Sequence, residues 1–107
     1  MAKNEHLGEF EQLALLAVLR LGDEAYGATI QEELDRTARR STAISSIYIT
    51  LTRLESKGFV RSSLEAPGGG RPRRYFRLEP DGVRALKLSR DALLSMWDGV
   101  EQELETA

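Results

Sequence analysis

Ser46 to Val60 reads SIYITLTRLESKGFV. Ile47, Leu51 and Leu54 recur at i, i+4 and i+7, which marks the core face of a helix from about Ile44 to Lys57. Gly58 stops it, in the position just past a helix end that favours a left-handed residue. The opposite face carries Ser45, Ser46, Ile49, Thr52, Arg53 and Ser56. Small hydroxyls let such a helix lie deep in a major groove. Thr52 and the serines can bond phosphates or base edges, Arg53 can reach a phosphate or a guanine, and Ile49 can meet a thymine methyl. A plain surface helix with serines capping its start has the same composition. Tyr48 sits beside this face and admits two readings. Either its ring packs and its hydroxyl reaches a phosphate, or it is a partly buried Tyr with its hydroxyl in water.

On the N-terminal side, Leu7 to Leu21 forms an apolar stripe broad enough for a helix buried on more than one side, ended by Gly22 and Asp23. A second helix opens near Gly27, with Ile30 and Leu34 as core positions and Glu32, Glu33 and Asp35 turned mostly to water. The polar stretch from Arg39 to Ala43 reads as a turn with room for a short strand. On the C-terminal side the period changes to that of strands, in FVRSSL (Phe59–Leu64) and RYFRL (Arg74–Leu78), around the glycine- and proline-rich EAPGGGRPR. That is a hairpin with a long tip. A last helix starts near Pro80, a residue suited to a first helical turn, and is expected to run to about Leu104.

The order helix, helix, helix, hairpin, helix describes a mainly α fold with a small β-hairpin: a winged helix-turn-helix over residues 1–79 and a C-terminal dimerisation helix over 80–107. The wing carries Arg71, Arg73 and Arg74, with Arg61 and Arg77 at its base. Arginines on a slim tip can enter a minor groove or lie along phosphates. The glycines are a poor phosphate loop, because no Lys-Ser/Thr follows them and they precede a strand.

Charge distribution supports a nucleic-acid partner where net charge does not. The 107 residues sum to −2, yet residues 36–77 hold ten cations and two acids, between ends that are both acidic. A basic zone of that kind is the electrostatic footprint of a DNA binder, double-stranded DNA here. No cysteine is present, which excludes disulfides and thiolate chemistry. His6 is the single histidine, and the acids sit on helix faces, so neither a catalytic constellation, a metal site nor a cofactor is expected. No apolar run approaches the ~18 residues of a membrane span. MAKNEHLGEF lacks a signal pattern, and a cytoplasmic location is expected.

Along the last helix Val83, Leu86, Arg90, Leu93, Trp97, Val100 and Leu104 follow steps of three and four, the spacing of a two-helix seam. Packing on a second copy makes Leu86, Leu93, Trp97, Val100 and Leu104 a homodimer interface; packing on the first helix of the same chain is the alternative. Paired Trp97 rings near a dimer axis form a stacking surface for a small planar aromatic effector, unless Trp97 is plain core.

These residues resemble the PadR family of transcriptional regulators over roughly Leu7 to Leu104. The resemblance rests on LGEFEQLALLAVLRLG in the first helix, Ala25-Tyr26-Gly27 opening the second, SIYITLTRLESKGFV in the third and GGGRPRRYFRLEPDGVRAL across wing and last helix. It implies a homodimeric winged helix, usually a repressor released from DNA by a small effector. It also implies a DNA contact at Tyr48. Many relatives have Pro after that Tyr, where this chain has Ile49, so base preference does not transfer. The tail resembles the compact branch with a single C-terminal helix, some members of which line an intersubunit drug cavity with an aromatic residue placed like Trp97. A winged helix acting as a protein-interaction module with an acidic partner is the alternative to a DNA-binding regulator. Strongly salt-dependent DNA binding separates the two.

Overall fold

A computed structural model describes residues 6–107; residues 1–5, with Lys3 and the start of the segment read for a signal, lie outside the description. Helix α1 spans Glu9–Leu21, two residues shorter at its start than the apolar stripe suggests. Gly8 caps it, its N–H donating to Glu11 Oε1 at 2.9 Å, and a 3-10 turn over Gly22–Glu24 follows. Helix α2 spans Gly27–Ala38 and helix α3 spans Ile44–Ser56. Gly58 lies past α3 at φ 82°, and the amides of Gly58 and Phe59 bond back to the carbonyls of Glu55 and Leu54. This paired arrangement satisfies the last helical carbonyls and turns the chain at once into the wing.

Strands β1 (Val60–Glu65) and β2 (Arg73–Leu78) pair antiparallel, with Val60 opposite Leu78 and Glu65 opposite Arg73. The Arg39–Ala43 stretch is a turn without a strand, held by Gln31 Nε2 donating to the Thr42 carbonyl at 2.8 Å. The extra strand-like pairing occurs instead where the chain enters α2. Tyr26 bridges Tyr75, and the Phe76 N–H donates to the Ala25 carbonyl at 2.9 Å. The wing is thereby tied to the start of α2.

One core joins these elements. Leu15, Ile30, Ile47, Leu51, Leu54, Val60 and Phe76 are fully buried within it. Helix α4 (Pro80–Trp97) enters the same core through Gly82, Ala85 and Ser89, the Ser89 Oγ accepting the Leu7 N–H at 3.3 Å. From Arg90 onward every residue is exposed.

The expected single helix to Leu104 is corrected here. Helix α4 ends at Trp97, Gly99 adopts φ 85°, and a separate helix α5 covers Glu101–Thr106. Asp98 leaves the helical region at ψ 124°, Gly99 takes the positive φ that a residue without a Cβ reaches at no steric cost, and the Val100 N–H closes the turn on the Trp97 carbonyl at 3.1 Å, where a periodicity count runs straight through. The seam is not continuous for a second reason. Leu86 packs partly on the chain's own core, whereas Leu93, Trp97, Val100 and Leu104 stand in solvent on a projecting arm. Glu33, expected to face water with its neighbours, is also corrected: it is only 4% exposed. Its carboxylate takes Arg20 Nε at 2.5 Å, the Arg36 guanidinium and the Thr37 hydroxyl. Those donors, Arg20 first, hold its pKa below the ordinary carboxylate value and outweigh the opposing effect of burial.

Candidate nucleic-acid interface

The face of α3 opposite Ile47, Leu51 and Leu54 is open. Ser45, Ser46, Thr52 and Ser56 are exposed, and Ile49 is 63% exposed, an isolated apolar group on a polar surface. Among the described residues nothing covers these side chains, so the helix presents hydroxyls and one branched aliphatic group together. That mixture can meet base edges and a thymine methyl in a groove.

Tyr48 turns away from that face towards the wing. Its ring tilts against Phe76 with centroids 6.0 Å apart, and its hydroxyl reaches over Gly27 at the start of α2. The packing half of the first reading describes the ring. The half-buried hydroxyl end sits at a helix N-terminus, where unpaired backbone N–H groups collect.

Two acids that periodicity did not single out organise the basic side chains. Glu55 accepts Ser62 N–H at 3.0 Å and Ser62 Oγ at 3.0 Å, and Arg74 Nη1 donates to the same Ser62 Oγ at 3.0 Å. Helix α3 and the wing are thus joined through Glu55. Glu11 Oε2 lies 3.6 Å from Arg53 Nε and 3.7 Å from Lys57 Nζ. The sequence signal for Glu55 was its rarity: residues 36–77 hold only Glu55 and Glu65 among their cations. For Glu11 it was its place three residues after Gly8, a capping spacing.

The wing arginines are less encumbered. Arg71 is exposed beside the tip glycines, and Arg73 lies over the Tyr26 ring at 4.5 Å from its centroid. Tyr26 in turn packs edge-on against Tyr75 at 5.2 Å, so an aromatic pair supports the wing root. Elsewhere in the basic zone, Arg36, Arg40, Arg53, Lys57, Arg61 and Arg77 each face a carboxylate. Among the described residues, Arg71, Arg73 and Arg74 form no ion pair within 4.0 Å. Among the described residues, the cations of this zone with no carboxylate within 4.0 Å are Arg39, at the end of α2, and the three wing arginines beside α3, with Glu24 acting on Arg73 from further off.

Among the described residues no group of His, Cys, Asp or Glu is placed to hold a metal ion, and no helix is long and apolar enough to cross a membrane.

Residues 15–88 match the Transcriptional regulator PadR-like family. No curated protein matches the chain. Among solved structures, a PadR family transcriptional regulator from Eggerthella lenta is 30% identical, with a TM-score of 0.65 over 90% of this chain and 87% of that one. A PadR family regulator from Clostridium difficile shares the fold at 22% identity, with a TM-score of 0.69 over 89% of this chain and 98% of the other. Bacillus subtilis PadR, solved in complex with operator DNA, superposes with a TM-score of 0.62 at 23% identity, over 74% of this chain and 46% of its own. The family and these neighbours are transcriptional regulators, not enzymes. The family match takes in α2, α3, the wing and about half of α1 and of α4, and the chain is a member of the PadR-like family of transcriptional regulators.

Proposed function

We propose that the protein is a sequence-specific DNA-binding repressor that acts as a homodimer and is released by a small planar aromatic compound. The observation that carries the DNA reading is the juxtaposition of the open α3 face with wing arginines that have no carboxylate within 4.0 Å. In this reading Ser45, Ser46, Ile49, Thr52 and Arg53 meet the major groove and Tyr48 meets a phosphate. Arg71, Arg73 and Arg74 grip the flanking backbone. That the Bacillus subtilis relative was solved in complex with operator DNA supports DNA as the partner.

Residues 80–107 serve as the dimerisation arm. Leu93, Leu94, Met96, Trp97, Val100 and Leu104 are all exposed, and all but Leu94 border one depression, a gathering of apolar groups that marks an interaction surface. A second copy covers such a surface most simply, because a symmetric pair buries the same patch twice. Trp97, 40% exposed, borders an open depression of about 330 Å³ with Leu93, Met96, Val100, Glu103 and Leu104; closed over by a second copy, it would offer a flat aromatic ligand a ring to stack on. Such a ligand relieves repression only if it binds the DNA-incompetent arrangement of the dimer more tightly than the competent one.

Selection of bound fragments from genomic DNA tests the reading. Recovered sites should contain an inverted repeat with half-sites about 34 Å apart, or a multiple of that. Affinity should fall with salt at a log–log slope of about −0.9 per neutralised phosphate. Sites without dyad symmetry sink the dimeric mode, and salt-insensitive binding favours a protein-interaction module.

A further inference from the structure

Glu11 links the start of α1 to the end of α3. Its two oxygens have different tasks. Oε1 accepts the Gly8 N–H at 2.9 Å, while Oε2 stands between Arg53 Nε at 3.6 Å and Lys57 Nζ at 3.7 Å. Arg53 lies in the last turn of α3 and Lys57 is the capping residue four positions on, its N–H still bonded to the Arg53 carbonyl, so the two side chains leave the same side of the helix end. The Glu11 side chain is 15% exposed, which shields its charge from full solvent screening, whereas that of Arg53 is 53% exposed and free to swing outward. Both separations exceed the 2.7–2.9 Å of a charge-assisted hydrogen bond, so the cations are attracted without being locked. The wing arginines have no carboxylate within 4.0 Å, and Glu24 acts on Arg73 only from beyond that distance. The two basic elements of the interface therefore differ: one carries a counterion within 4.0 Å and the other does not.

We propose that Glu11 is an internal counterion that competes with DNA phosphates for Arg53 and Lys57, and so limits how tightly the protein holds DNA of unrelated sequence. This rests on the DNA-binding reading above. Every complex that recruits Arg53 must first draw it from Glu11. On an operator, base-edge contacts offset that cost; on unrelated DNA only phosphate attraction is available, and the cost stands. Glu11 acts through the recognition helix and touches no DNA itself, which makes it a positioning and specificity-determining residue.

The test compares Glu11→Gln with the wild type on two duplexes, a selected operator fragment and one of random sequence, across a salt series. Gln keeps the capping acceptor for Gly8, so the fold should be retained, and a thermal melt checks this. Glu32→Gln, an exposed position on α2, controls for the change in net charge. Glu11→Gln should bind the random duplex about 3–10-fold tighter at low salt, with a slope steeper by about 0.9 for each cation released. Operator affinity should rise less, so discrimination falls. Adding Arg53→Ala and Lys57→Ala to Glu11→Gln should remove the gain. Behaviour matching Glu32→Gln, or weaker binding to both duplexes at an unchanged slope, overturns the proposal and leaves Glu11 a structural brace. A wild type that binds neither duplex overturns the DNA reading and this proposal together; a wild type that binds normally beside an unaltered Glu11→Gln overturns this proposal alone.

Discussion

The Tyr48 hydroxyl oxygen lies 2.7 Å from where a β-carbon on Gly27 would stand, and two ring carbons lie at 2.9 and 3.0 Å. The close approach couples the first residue of α2 to the middle of α3 and, through Phe76, to the wing. It also explains why the residue after Tyr26 is glycine, since any side chain there must displace the aromatic ring.

Gly27→Ala should therefore destabilise the fold despite the better helix propensity of alanine. Overpacking costs about 1–3 kcal/mol against roughly 1 kcal/mol gained from propensity. Urea unfolding measures the net loss. In a Tyr48→Phe background part of that loss should disappear, because the nearest clashing atom is gone. Independent, additive effects of the two substitutions would mean that Tyr48 already yields freely and does not couple the helices.

Arg73 and Arg74 offer the cleanest test of the wing. Replacing both with alanine should weaken binding to every DNA sequence alike and flatten the salt slope by about 0.9 for each phosphate no longer neutralised. Arg73 also stacks on Tyr26, so circular dichroism and a melt of the variant distinguish missing charge from a loosened wing. Unchanged slope and affinity would remove the wing from the interface.

Glu33 makes acid stability a readout of the α1–α2 packing. Its pKa is lowered in the folded chain, first by the hydrogen bond from Arg20 and then by Thr37. A carboxyl whose folded value lies below its unfolded value contributes stability that is present above the unfolded value, near 4.5, and lost as pH falls through the folded value. The stability gap between wild type and Glu33→Gln should hold steady from neutral pH to about pH 5 and narrow below it. A gap that stays constant down to about pH 3 would show that the charge of Glu33 is not what the arginines recognise.

Trp97 reports on the arm. If the depression beside it takes a ligand, planar aromatics should quench its fluorescence saturably and lower DNA affinity at the same concentrations. Trp97→Ala should abolish that response and still sediment as a dimer. A broad panel that neither quenches Trp97 nor shifts DNA binding would reduce the residue to interface packing.

Local signals in the sequence determined the order of elements. Ile47, Leu51 and Leu54 marked the core face of α3, Gly58 marked its end, and the shift from helical to strand period after Phe59 marked the wing, because each depends on neighbours within a few residues. The open face of Ser45, Ser46, Ile49 and Thr52 was legible for the same reason, as the complement of a readable core face. The kink at Gly99 carried a signal too, a glycine after an aspartate, but the regular spacing from Val83 to Leu104 overrode it. Tertiary structure alone decided what each charge meets. Glu33 looks like any solvated helix acid until α1 brings Arg20 against it, and Arg53 looks free until the start of α1 places Glu11 beside it. Tyr26 and Arg73 stack across 47 positions of sequence. Periodicity reports which way a side chain points relative to its own helix axis. It carries no information on which distant side chain the fold places opposite, and electrostatic pairing depends on that distance.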